Sequence, residues 1–184
     1  MRSEIEGLLR AYERHVQIPW DRTIAGPEKV WFAIYDPPQE RRLRARITAF
    51  QNATESAGHG WYHLDLSNAF AEWMGTHEYR DAYFQRPKLL ESALQGFTRD
   101  AVDLVSGALT ADEVGADSVV AVTGAASLFG LTRLSTVVQD VNDKIRGRLL
   151  VFFPGEHEGH NYRLLGARDG WSYLAVPIEA SNGA

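Results

Sequence analysis

Cysteine is absent from this chain, which excludes disulfide cross-links and thiolate metal ligands and fits a reducing compartment. A basic excess is absent too. There are 19 Lys and Arg against 24 Asp and Glu, a net charge of −5, and the pI is near 5.7. Domains that grip a phosphate backbone usually carry a strong positive balance, so direct nucleic-acid binding is not expected as the main activity. No apolar run approaches the ~20 residues that span a bilayer. The opening Met1-Arg-Ser-Glu-Ile-Glu6 also lacks the apolar segment of a signal peptide. A soluble, cytoplasmic protein without membrane contact is the expectation.

What is present is enough apolar material for one substantial core: 45% of 184 residues are hydrophobic. That length favours a single α/β domain over residues 1–184. Ile5, Leu8, Leu9, Tyr12 and Val16 recur at helical spacing, so 4–16 reads as an amphipathic helix. Val30–Tyr35 reads as a buried strand closed by Asp36-Pro37-Pro38, and Leu43, Ile47 and Phe50 as the inner stripe of one following helix. A second strand is expected over Trp61–Leu66, then a helix carrying Phe70, Trp73 and Met74. A longer helix follows, through Leu90, Leu94, Phe97, Ala101, Leu104 and Val105. Val119–Thr123 is a third strand, and Leu134, Val137, Val138, Val141 and Ile145 trace one more helix. Arg148–Phe153 is a fourth strand, ended by Pro154-Gly155. A fifth, Trp171–Val176, follows the turn signal Arg168-Asp169-Gly170. Apolar strands alternating with helices imply a three-layer domain: a mainly parallel sheet of about five strands with helices on both faces.

Glu156, His157, Glu158, His160, Asn161 and Arg163 crowd together after the fourth strand, at the carboxyl end where α/β sheets place working groups. Two histidines between carboxylates are the residue set of a divalent-metal site. Their spacing of three, in a stretch begun by Pro-Gly and broken by Gly159, instead predicts a polar, partner-facing loop. His63 and Asp65 alternate on one strand and suit either an acid/base pair or a hydrogen-bonded histidine. Ser127, His157 and Asp169 offer the members of a hydrolase triad, with nothing beyond chain order to connect them.

Gly124 to Gly130 opens a helix after a strand. It has five residues between the glycines and Leu131 where a phosphate loop needs lysine, so nucleotide binding is not expected. Arg41, Arg42, Arg44 and Arg46 fall on two flanks of their helix and are expected to pair with acids rather than to meet DNA. Trp73 to Phe84, with Tyr79 and Arg80, is dense in aromatics. Folding back as core is the first expectation for it, and a docking surface the alternative.

Several strings resemble one family: Val30-Trp-Phe-Ala-Ile-Tyr-Asp-Pro37, Gly58-His-Gly-Trp61, Ala69-Phe-Ala-Glu-Trp-Met74 with His77-Glu-Tyr-Arg80, and Ser127-Leu-Phe-Gly130. Above all there is Arg146-Gly-Arg-Leu-Leu-Val-Phe-Phe-Pro-Gly-Glu-His-Glu-Gly159 with Asn161-Tyr-Arg-Leu-Leu165. Together, and nearly end to end, they look like the small B component (BrxB) of bacterial BREX phage-defence systems, a domain of unknown function without assigned catalytic residues. The resemblance implies a cytoplasmic protein made alongside a phosphatase-superfamily component (PglZ), a large ATPase and a DNA methyltransferase. It implies no cofactor. The order of elements also resembles a P-loop ATPase core without its nucleotide motifs. A non-enzymatic adaptor that binds another BREX protein, chiefly PglZ and otherwise the ATPase or methyltransferase, is the first functional expectation. The Glu156 to Arg163 loop or the aromatic segment near Tyr79 would be its docking surface. A degenerate metal-dependent nuclease or phosphoesterase, and a DNA-binding accessory factor, are the alternatives.

Overall fold

The computed structural model describes residues 4–167 and 170–180. Its first helix, α1 (Glu4–Val16), follows the predicted stripe, with Ile5, Leu8, Leu9, Tyr12 and Val16 all buried. Strand β1 (Val30–Tyr35) is buried at every position. The expected single helix after it is two, α2 (Glu40–Arg44) and α3 (Ile47–Ser56). The chain breaks at Arg46, whose φ of −114° and ψ of 2° leave the helical region. Arginines on both sides of the break are held by acids elsewhere. Arg44 pairs with Glu40 and Asp65, and Arg46 with Glu6 of α1. Leu43 and Phe50 still reach the core.

Strand β2 (Gly60–Asp65) precedes α4 (Ala69–Thr76), α5 (Arg80–Gln85) and the long α6 (Leu90–Thr110). Strand β3 (Ser118–Thr123) leads to α7 (Leu134–Asp140), which is shorter than its apolar stripe. Val141 and Ile145 are buried from a 3-10 turn instead. The fourth strand, β4, runs from Arg148 to Glu158, and β5 is Asn161–Leu164. The expected fifth strand is divided: β6 covers only Trp171–Ser172, and β7 is Val176–Glu179. Arg168 and Asp169 of the predicted turn lie outside the described residues.

The main sheet has the order β2-β3-β4-β1-β7, and each neighbouring pair is parallel. Five parallel strands are as expected. The antiparallel β5 and β6, hung on the far end of β4, make the sheet mixed.

The unbroken apolar runs are explained by two cores. One face buries Phe32, Ile34, Val120, Val122, Val151 and Phe153 under α6 and α7, through Phe97, Ala101, Val137 and Val138. The other buries Trp31, Ala33, Val119, Ala121, Leu150 and Phe152 under α1 and α3, through Leu8, Tyr12 and Phe50. Alternate residues of each central strand thus serve opposite layers, and buried polar side chains are confined to strand ends, at Ser118, Thr123 and Arg148. On the α1 side, Phe152 meets Phe50 edge to face at 5.0 Å, and the Tyr12 hydroxyl lies 2.6 Å from that of Thr54.

Candidate functional site

Strand β4 changes partner midway. Its first half pairs with β1 as far as the register of Tyr35 with Pro154. Beyond that it pairs antiparallel with β5, Gly155 opposite Leu164, Glu156 opposite Arg163, His157 opposite Tyr162 and Glu158 opposite Asn161. The expected polar loop is therefore a β-hairpin arm. Three local features make it one. Pro154 cannot donate to a ladder, but its carbonyl accepts the Leu165 N–H at 2.8 Å. Gly155 lets β5 approach, since a Cβ there would stand 2.1 Å from the Arg163 oxygen. Gly159-His160 closes a two-residue turn, with Gly159 at φ +59°, the positive φ that such turns require at their first position.

The hairpin sorts the predicted residues by side. Glu156, Glu158, His160 and Asn161 are exposed, and Glu156 takes a cross-strand ion pair from Arg163 at 3.2 Å. His157 is only 16% exposed on its side chain, and its Nε2 lies 3.1 Å from a Glu179 oxygen at the end of β7. Its Nδ1 lies 3.2 Å from the Gly159 carbonyl, so both ring nitrogens face acceptors. The ring also stacks on Tyr162 with centroids 5.7 Å apart. Tyr162 is fully buried, donates to the Ala175 carbonyl at 2.8 Å, and burial pushes its hydroxyl up to about 12.

His157, Gly155 and Glu156 line a cleft of about 600 Å³ whose other walls include Glu4, Ile34, Tyr35, Asp36, Leu165 and Glu179. These are the carboxyl ends of β1, β4 and β7 with the start of α1. The cleft thus lies outside the carboxyl ends of parallel strands, the usual side for ligands in open α/β sheets. Four carboxylates surround one imidazole there, which suits a cationic group better than a phosphate. Three of the four carboxylates already have partners within the chain: Glu4 accepts the Asp36 N–H at 2.8 Å, Glu156 pairs with Arg163 and Glu179 with His157. Tyr35 donates to Glu40, and burial, reinforced by that carboxylate, pushes its hydroxyl far up. Leu165 holds a left-handed φ of 54°, unusual for leucine, on the cleft wall.

The alternative of a metal site finds no ligand set among the described residues. His157 is turned to Glu179 while His160 sits exposed in the turn, and among the described residues no three His, Asp or Glu side chains gather as ligands. His63 follows the hydrogen-bonded reading, with Nε2 2.9 Å from the Thr123 hydroxyl, and burial lowers its pKa. Burial alone would raise Asp65, but hydrogen bonds from Ser67 and Arg44 hold it down to about 2. Asp169 of the suggested triad lies outside the described residues. Of the arginine run, Arg44 and Arg46 are ion-paired, as expected.

Tyr79 and Arg80 lie elsewhere, between α4 and α6, and here the first expectation fails. Met74 is buried and Trp73 half-buried, but α5 buries nothing, Tyr79 is 57% exposed and Phe84 70%. Beyond Met74 the segment has too few apolar positions at helical spacing to close against the sheet, so Tyr79 and Phe84 stay outside. The sequence reading missed Glu4, Asp36 and Glu179 as partners of the hairpin. Asp36 could have been found from its place at the carboxyl end of the first predicted strand, whereas the expected fifth strand stops at Val176 and nothing in the sequence joins Glu179 to His157.

No family model, curated protein or solved structure matches the chain. No helix among the described residues is long and apolar enough to cross a membrane.

Proposed function

We propose that this chain is a non-enzymatic component of a BREX phage-resistance system, acting in the cytoplasm as an adaptor that binds another BREX protein, most plausibly the phosphatase-superfamily PglZ. The observation that carries the adaptor role is the exposure of Phe84 and Tyr79 on a segment that contributes little to the core. Large aromatics left in water mark surfaces that a partner covers. The strings quoted above support membership of the system. The finer architectural reading, a P-loop ATPase core without nucleotide motifs, belongs to the same proposal. Its support is a parallel sheet whose first strand lies inside the order, between β4 and β7, and is followed by Asp36-Pro37-Pro38 in place of a glycine loop.

The test is co-expression with the phosphatase-superfamily component, then size-exclusion chromatography with light scattering and metal analysis of each peak. A stoichiometric complex without metal on this chain is expected. A lone, metal-loaded peak refutes the adaptor and favours the second reading, a metal-dependent nuclease or phosphoesterase. That reading draws on the cleft at the strand carboxyl ends, with His157 in its wall.

A further inference from the structure

The exposed aromatics are not on a dangling loop. Trp73 contacts the fully buried Phe97 at 5.6 Å. His77 packs on Trp73 at 4.9 Å, and Tyr83 and Tyr79 lie 5.1 and 6.2 Å from His77. This ladder roots the projection in the core, so its shape is set before any partner arrives, which lowers the ordering cost of binding.

The charges on the projection run against those of the chain. From Trp73 to Leu89 there are three cations and two acids, Glu78 and Asp81, in a protein of net charge −5. Arg80 is paired with Asp81 at 3.4 Å. The side chains of Arg86 and Lys88, on either side of Pro87 and between Phe84 and the 46%-exposed Leu89, make no ion pair or hydrogen bond among the described residues. A partner that covers Phe84 and Leu89 must desolvate the neighbouring ammonium and guanidinium groups, which is unfavourable unless acceptors meet them.

Resting on the adaptor reading, we infer that the surface received by this segment is an apolar groove rimmed by carboxylates, Phe84 and Leu89 entering the groove and Arg86 and Lys88 meeting the rim. A basic rim would repel the same segment, so the charges select the partner as well as holding it.

The experiment is titration calorimetry of the full chain with the phosphatase-superfamily component, at low and moderate salt. It uses wild type, Phe84→Ser and the double variant Arg86→Glu/Lys88→Glu. All three side chains are exposed, and unchanged circular dichroism and melting temperature confirm folding. We expect Phe84→Ser to weaken binding by about tenfold or more. The charge reversal should do the same and abolish most of the salt dependence. Failure of wild type to bind at all refutes the adaptor reading and this inference with it. A complex indifferent to every substitution leaves the adaptor standing and overturns the inference alone. So does a loss with Phe84→Ser that comes without any charge or salt effect. Two further results identify a different occupant and overturn it: self-association of the chain broken by the same substitutions, or binding to phosphatidylserine vesicles in place of the protein.

Discussion

Replacing Gly155 by alanine tests whether the hairpin arm is built as described. The new Cβ would lie 2.1 Å from the Arg163 carbonyl oxygen, 3.1 Å from its carbon and 2.8 Å from the Phe153 ring. Ordinary contact needs well over 3 Å, so β5 must retreat by more than an ångström, and neither obstacle is the free end of a flexible side chain. The retreat breaks the rung between Gly155 and Leu164 and strains the next, Glu156 with Arg163. Ladder bonds contribute roughly 1 kcal/mol each, and overpacking adds about 1–3 kcal/mol, so a loss of about 2–4 kcal/mol is expected. In urea, at a slope of about 2 kcal/mol per molar, the midpoint falls by about 1–2 M. Gly166→Ala is the control, because nothing lies within 4 Å of its added Cβ, and it should leave the midpoint in place. A Gly155→Ala midpoint within about 0.3 M of wild type, well below the shift such overpacking implies, would show that β5 does not press on Gly155 as described.

Phe152→Ala, at a fully buried position against Phe50, should cost about 3–5 kcal/mol in equilibrium unfolding. His157→Ala removes a ring that is only 16% exposed, pairs with Glu179 and stacks on Tyr162, and should cost about 1–2 kcal/mol while reducing phage restriction in a plating assay; unfolding would make the hairpin purely structural. Asp65 is held below its ordinary pKa of 3.8, at about 2. Its contribution is therefore complete above pH 4 and lost as pH falls towards 2. Arg44→Ala should melt below wild type at neutral pH, and the gap should narrow over that acid range; a gap that is constant with pH means Arg44 acts through packing alone. Tyr12→Phe should cost only about 1 kcal/mol, because the Thr54 hydroxyl can still donate to the Phe50 carbonyl at 2.9 Å.

Strand β1 and helices α1 and α6 were legible because burial on one or both faces writes a periodicity into the residues themselves. Hydrophobic spacing alone fixed which side chains of α1 turn inward and that β1, β3 and the start of β4 are covered on both sides. Composition alone removed disulfides and thiolate sites. The polar half of β4 was read as a loop, although Glu156 and Glu158 alternate with Gly155 and His157 around a Gly159 turn. Pro154-Gly155 is a strand-ending signal unless another strand is there to receive it, and β5 is supplied only by the fold. The aromatic run from Trp73 to Phe84 shows the opposite failure, since hydrophobic residues predict burial only when a facing surface exists to bury them.

The chain order could not bring Glu4, Asp36, His157 and Glu179 to one cleft, because they come from four elements up to 175 residues apart in number. Local pattern determines how each segment folds, since it depends on neighbours three or four positions away. The meeting of segments depends on strand order and register, which the packing of the whole chain decides.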